Sequence, residues 1–145
     1  GYESHAINLR GHHGSRPVAD IGKVRLEQYV EDALEVAKTL RNPIVIGHSM
    51  GGLIAQRVAE LGACRACVLL ASAPPRWIPV VSWLLLTRQL KYTKALALGE
   101  PVLPNRRDAD VLMFNRTPVA NRDADFARLV PESGRAGFAA RCSSR

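Results

Sequence analysis

The 145-residue sequence predicts an α/β protein built on a parallel sheet. A β-branched run, Ile44-Val-Ile46, passes directly into Gly47-His-Ser-Met-Gly51 and then into a helical pattern. A strongly periodic helical stretch precedes that run. A second apolar strand, Ala66 to Ala71, follows the helix behind it. Strands alternating with helices of this length form right-handed βαβ units, and ligands in such sheets bind beyond the carboxyl ends of the strands. Ser49 falls at such an end.

Taken in order, His5 to Leu9 reads as a short strand, and Arg10 to Gly22 as a loop punctuated by Gly11, Gly14, Pro17 and Gly22. Leu26, Tyr29, Val30, Ala33, Leu34, Ala37 and Leu40 share one helical face, while Glu27, Glu31, Asp32 and Lys38 lie mainly elsewhere. Asn42-Pro43 ends that helix and opens the strand. After the glycine-rich turn, Leu53, Ile54, Val58 and Leu61 keep helical spacing, and Gly62 suits the stop. From Pro74 the texture changes. Trp77 to Leu86 is apolar, helical runs continue to Leu98, and Pro101 and Pro104 interrupt the chain. Asp108 to Arg116 and Arg122 to Leu129 read as two more short helices. Gly137 to Arg145 has no strand pattern and reads as an unstructured or frame-shifted tail.

Gly-x-Ser-x-Gly arises by chance in roughly one chain in twenty of this length, so its setting between strand and helix carries the inference. That setting is the layout of a nucleophile elbow, a turn tight enough to lift a serine hydroxyl off a strand end. Glycine is expected at both Gly47 and Gly51, because side chains there would collide. A helix beginning near Met50 turns its free N–H groups and positive dipole end toward the serine. The Met50 N–H is then placed to receive negative charge from an attacked carbonyl.

With these residues the chain resembles the α/β-hydrolase superfamily. Leu9-Arg-Gly-His-His-Gly-Ser15 is similar to the loop after the fourth strand of many members. The helix, the elbow and the strand ending Ala71-Ser-Ala-Pro-Pro75 follow in the usual order. Leu129-Val-Pro-Glu-Ser-Gly-Arg-Ala136 resembles the return from cap to core. The resemblance implies a partial hydrolase core over residues 1–75, a mostly helical cap over 76–136 and the tail over 137–145. It implies Ser49 as nucleophile, Met50 as one oxyanion donor, His12 and His13 on the rim of the cleft, and His48 as a packing residue. Its substrate would be a small ester or related acyl compound, with the Trp- and Leu-rich cap favouring an apolar one. An acyl-enzyme would form without metal or cofactor.

A serine hydroxyl needs a base and the base an orienting acid. In this family the acid and then the histidine follow the serine. All four histidines, His5, His12, His13 and His48, precede Ser49. Asp108, Asp110, Asp123 and Asp125 are acids in cap-like sequence, and the strand after the elbow ends in Ala71-Ser72-Ala73. The second oxyanion donor would come from a loop before Gly1. The sequence therefore reads as a fragment, inactive by itself. The alternative is a hydrolase fold kept as a non-catalytic binding module.

Composition narrows the remaining classes. Hydrophobic residues make up 47% of the chain, enough for a core. The net charge of +7 lies mostly after residue 73, yet the arginines are scattered and lack interleaved aromatics, which argues against nucleic-acid binding. Cys64, Cys67 and Cys142 form no regular disulfide framework. The Cys64-x-x-Cys67 pair lies between a helix and a following strand, the reverse of a thioredoxin-like site, and reads as small buried thiols rather than a redox or zinc site. No signal peptide or bilayer-length apolar run is present, and a cytoplasmic setting is expected.

Overall fold

A computed structural model of the chain describes residues 1–74 and 90–137. The first helix, α1, is Leu26–Ala37. It is opened by the Arg25 N–H, which donates to the Gln28 side chain at 2.9 Å. Strand β1 is Ile44–His48, helix α2 is Met50–Glu60 and strand β2 is Ala66–Leu70. β1 and β2 pair in parallel, with Ile44 opposite Ala66 and His48 opposite Leu70. Gly62, at φ +69°, stops α2 in the left-handed conformation expected of it. Helix α1 ends at Ala37, three residues short of the expected Leu40, and the chain turns through Asn42 at φ 50°.

Both helices pack on one face of the two strands. Tyr29, Val30, Ala33 and Ala37 of α1 meet Leu53, Ile54 and Val58 of α2, with Val45 of β1 against them. Because side chains alternate along a strand, Ile44, Ile46 and Val68 point to the other face. That face is bare among the described residues, and Ile46 is 64% exposed. His48 lies on it too and is exposed, so it does not pack as expected.

Residues 5–9 form no strand, correcting the reading of His5 to Leu9. A strand is completed by a neighbour's backbone groups, and among the described residues none pairs with this stretch.

The second region begins with a 3₁₀ turn, Leu90–Tyr92, that runs into helix α3, Thr93–Leu98. Strand β3, Pro101–Val102, follows, then α4, Arg106–Leu112, and α5, Arg122–Ala127. Strand β4, Glu132–Ser133, pairs antiparallel with β3. Pro101 thus opens a two-residue strand where the sequence suggested only a break. Asn105 caps α4 by accepting from the Asp108 N–H at 3.0 Å, so α4 starts two residues before the expected Asp108, while α4 and α5 end before the expected Arg116 and Leu129. The junction with the first region is close: Lys23 Nζ donates to the Leu98 carbonyl at 2.6 Å, at the negative end of α3. The expected apolar stretch Trp77 to Leu86, Cys142 and all of the tail after Gly137 lie outside the described residues.

Cys64 and Cys67 are free thiols, each partly buried. Burial, and then the neighbouring Cys64, push the Cys67 thiol up, the opposite of what a reactive thiolate needs.

Candidate active site

Ser49 lies between β1 and α2 with φ 52° and ψ −120°, a backbone conformation costly for any residue bearing a Cβ. Its surroundings hold it there. The Ser49 N–H donates to the Leu70 carbonyl at 3.1 Å, and its carbonyl accepts from Ala73 N–H at 2.9 Å and Gly52 N–H at 3.0 Å. Ala71, just past the end of β2, also has positive φ, at 42°. Two strained turns at adjacent strand ends are thus bonded to each other, and Ser49 is left exposed beyond the sheet.

The two elbow glycines are not equivalent. A Cβ on Gly47 would lie 2.1 Å from the Gly51 carbonyl oxygen and 2.7 Å from the Gly52 Cα. The strand end and the helix start touch backbone to backbone, so only glycine fits. A Cβ on Gly51 would meet nothing within 4 Å, and its φ is not positive. The expectation of a collision at Gly51 is therefore corrected. The second required glycine is Gly52, where a Cβ would come within 2.5 Å of the Ser72 Cβ. Ser72 is fixed in turn, since Gln56 Nε2 donates to its hydroxyl at 2.9 Å and that hydroxyl donates to the Ala73 carbonyl at 2.9 Å. In place of an acid, the end of β2 carries a hydroxyl that braces the turn.

Met50 opens α2, so its N–H belongs to the first turn, whose N–H groups have no partner within the helix. Gly47, Ser49, Met50 and Gly51 are brought together as the sequence predicts.

His12 and His13 lie on the loop of residues 9–16, which closes on itself through Gly11 N–H to the Arg16 carbonyl at 2.8 Å. Arg10 anchors that loop to α1. Its backbone N–H and guanidinium bond the Asp32 carboxylate at 2.7–3.0 Å, with both residues buried. Burial alone would raise the Asp32 pKa, but the bonds from Arg10 outweigh it and hold it below its ordinary value. Those same bonds with Asp32 raise the Arg10 pKa. His13 is exposed. His12 turns toward the Tyr29 ring, 6.2 Å between centroids, and toward Glu132.

Asp108, Asp110 and Asp123 are engaged within the second region. Asp108 is buried, accepts from the Tyr92 hydroxyl at 2.6 Å and pairs with Lys91. Arg106 holds Asp110 at 2.9 Å and also pairs with Asp123.

Comparison with known proteins agrees with this geometry. The model of a family described as "Alpha/beta hydrolase family" matches residues 1–144. No curated protein matches. Among solved structures, an extracellular alpha/beta-hydrolase from a Paenibacillus species is similar, with a TM-score of 0.64 and 18% identity. It is described as sharing structural and functional homology with Tobacco Salicylic Acid Binding Protein 2. The alignment covers 86% of this chain and 52% of that one, so this chain spans about half its length. That relative is extracellular and gives the cytoplasmic expectation no support. Among the described residues, no helix is long and apolar enough to cross a membrane.

Proposed function

The chain belongs to the alpha/beta hydrolase family, and we propose that it is the nucleophile-bearing part of a serine hydrolase acting on a small, apolar ester or acyl compound. The observation that carries this reading is the backbone of Ser49, held at φ 52° with the hydroxyl-bearing residue exposed at the strand end. In the proposed reaction the Ser49 hydroxyl attacks the acyl carbonyl and the Met50 N–H receives the developing negative charge. The alcohol leaves, and water releases the acid from the acyl-serine. The proton from Ser49 passes to a histidine that these 145 residues do not supply after the nucleophile. The second region, residues 90–137, serves in this reading as part of a cap, and His12 and His13 sit at the cleft rim.

The isolated chain is accordingly expected to show no turnover of p-nitrophenyl butyrate or of a salicylate ester. A chimera adding the complementary part of the Paenibacillus hydrolase is expected to hydrolyse one of them. Ser49→Ala is expected to reduce that activity by several orders of magnitude. A folded chimera whose turnover is indifferent to Ser49→Ala would refute the assignment. The same folded chimera binding the ester without any turnover would favour a binding module.

A further inference from the structure

We infer that Gln56 is a positioning residue for the proposed reaction: acting through Ser72 and Ala73, its side-chain amide sets the direction in which the Met50 N–H points. The inference rests on the reading of Ser49 as the nucleophile.

The Ser49 carbonyl and the Met50 N–H are the two ends of one peptide unit. That unit is planar and trans, so its C=O and N–H point in opposite directions. The Ser49 carbonyl accepts from the Gly52 N–H at 3.0 Å and from the Ala73 N–H at 2.9 Å, which occupies both of its lone pairs. The bond from Gly52 belongs to the first turn of α2. The bond from Ala73 comes from the turn after β2 and fixes how the peptide is rotated relative to the sheet. With the carbonyl drawn toward Ala73, the Met50 N–H points away from that turn. This is the group that receives the charge of an attacked carbonyl, and its aim is set from the opposite end of its own peptide.

Ala73 is held in turn by Gln56. Ser49 at the N-cap, Gly52 and Gln56 are spaced three and four apart, so they share one face of α2. Gly52 leaves room for Ser72, and Gln56, one turn further on, reaches over it. Gln56 Nε2 donates to the Ser72 hydroxyl at 2.9 Å and lies 3.5 Å from the Ala73 carbonyl oxygen. The Ser72 hydroxyl donates to that same carbonyl at 2.9 Å. Ala73 is thus fixed at both ends, its carbonyl by Ser72 and Gln56 and its N–H on Ser49. The brace works against strain, because Ala71 is held at φ 42°. Removing the Gln56 donor lets the turn relax and carries the Ala73 N–H off the Ser49 carbonyl. The oxyanion exists only in the transition state and the intermediate, so a misdirected Met50 N–H lowers kcat and leaves KM alone.

Gln56→Met keeps the length of the side chain and removes the donor. In the full 145-residue chain, exchange of the Ala73 amide, corrected for intrinsic rates, is expected to speed up about tenfold in Gln56→Met and in Ser72→Ala. The amides of Ile54 to Val58 are expected to keep their protection. In the chimera each substitution is expected to lower kcat about tenfold at unchanged KM. The double variant should fall no further than the single ones, because both act along one chain of bonds. Unchanged Ala73 exchange, or faster exchange throughout α2, would overturn the inference whatever the chimera does. A kcat indifferent to Gln56→Met but abolished by Ser49→Ala would overturn it and leave the reading of Ser49 standing. Turnover that survives Ser49→Ala would overturn both.

Discussion

Around Ser49 backbone meets backbone, whereas around Asp108 charged side chains meet one another. In the first region Gly47 touches the Gly51 carbonyl, Gly52 abuts Ser72, and an apolar cluster from α1 and α2 backs the turn. In the second, Lys91 pairs with Asp108 and Arg106 with Asp123 across short elements, while the Arg106–Asp110 pair and the cap from Asn105 brace α4 itself. The first arrangement has no slack, because a backbone cannot rotate away as a side chain can. It suits a site that must hold a serine in a strained conformation. The second leaves its helices more freedom to shift, which suits a cover.

An exception in the first region, the buried Arg10–Asp32 pair, yields the largest expected effect. Asp32→Ala leaves the buried guanidinium with only the half-exposed Glu31 as a partner and is expected to cost about 3 kcal/mol in a denaturant titration. Because the Asp32 pKa is lowered by folding, its contribution is present above the ordinary value of 3.8 and disappears as the pH falls below it. Acid should therefore loosen the 9–16 loop first, and Asp32→Asn should flatten that dependence.

Next is the elbow itself. Gly47→Ala is expected to destabilise by about 3 kcal/mol, at the upper end for overpacking. Gly51→Ala, in open space within a helix, is expected to stabilise by up to about 1 kcal/mol. Equal costs from these two substitutions would break the account of the turn. In the second region, Asp108→Ala should cost about 1–3 kcal/mol by removing the acceptor of the Tyr92 hydroxyl proton and the partner of Lys91. The smallest effect is ionic. Raising salt should increase amide exchange in α4 and α5, whose Arg106 pairs are solvent-facing, more than in α2, whose exposed pair, Arg57 with Glu60, lies in its last turn. Salt sensitivity concentrated in α2 would reverse the comparison.

How far each region was legible follows the same division. The elbow is local: strand, turn and helix lie within residues 44–60, so the residue order alone places Ser49 and Met50. The symmetric Gly-x-Ser-x-Gly pattern nevertheless misled at Gly51. It says nothing of Ser72, whose approach makes Gly52 the required glycine. The sequence displays Gly52 as the second of two consecutive glycines, but its partner comes from the turn after β2. The Arg10–Asp32 pair spans 22 positions and the Tyr29–Glu132 bond 103. In such cases sequence displays the charges without saying which meet. Asp32 lies off the apolar face of its helix and still becomes buried, because the loop folds over it. His5 to Leu9 has strand character, but a strand depends on its neighbour.

The most direct test of the central claim is mass spectrometry of the acyl-enzyme, trapped by mixing the chimera with a p-nitrophenyl ester and quenching in acid. The account predicts a single acyl adduct on the peptide containing Ser49, absent after Ser49→Ala together with turnover. An adduct on another residue, with turnover that persists in Ser49→Ala, would contradict it.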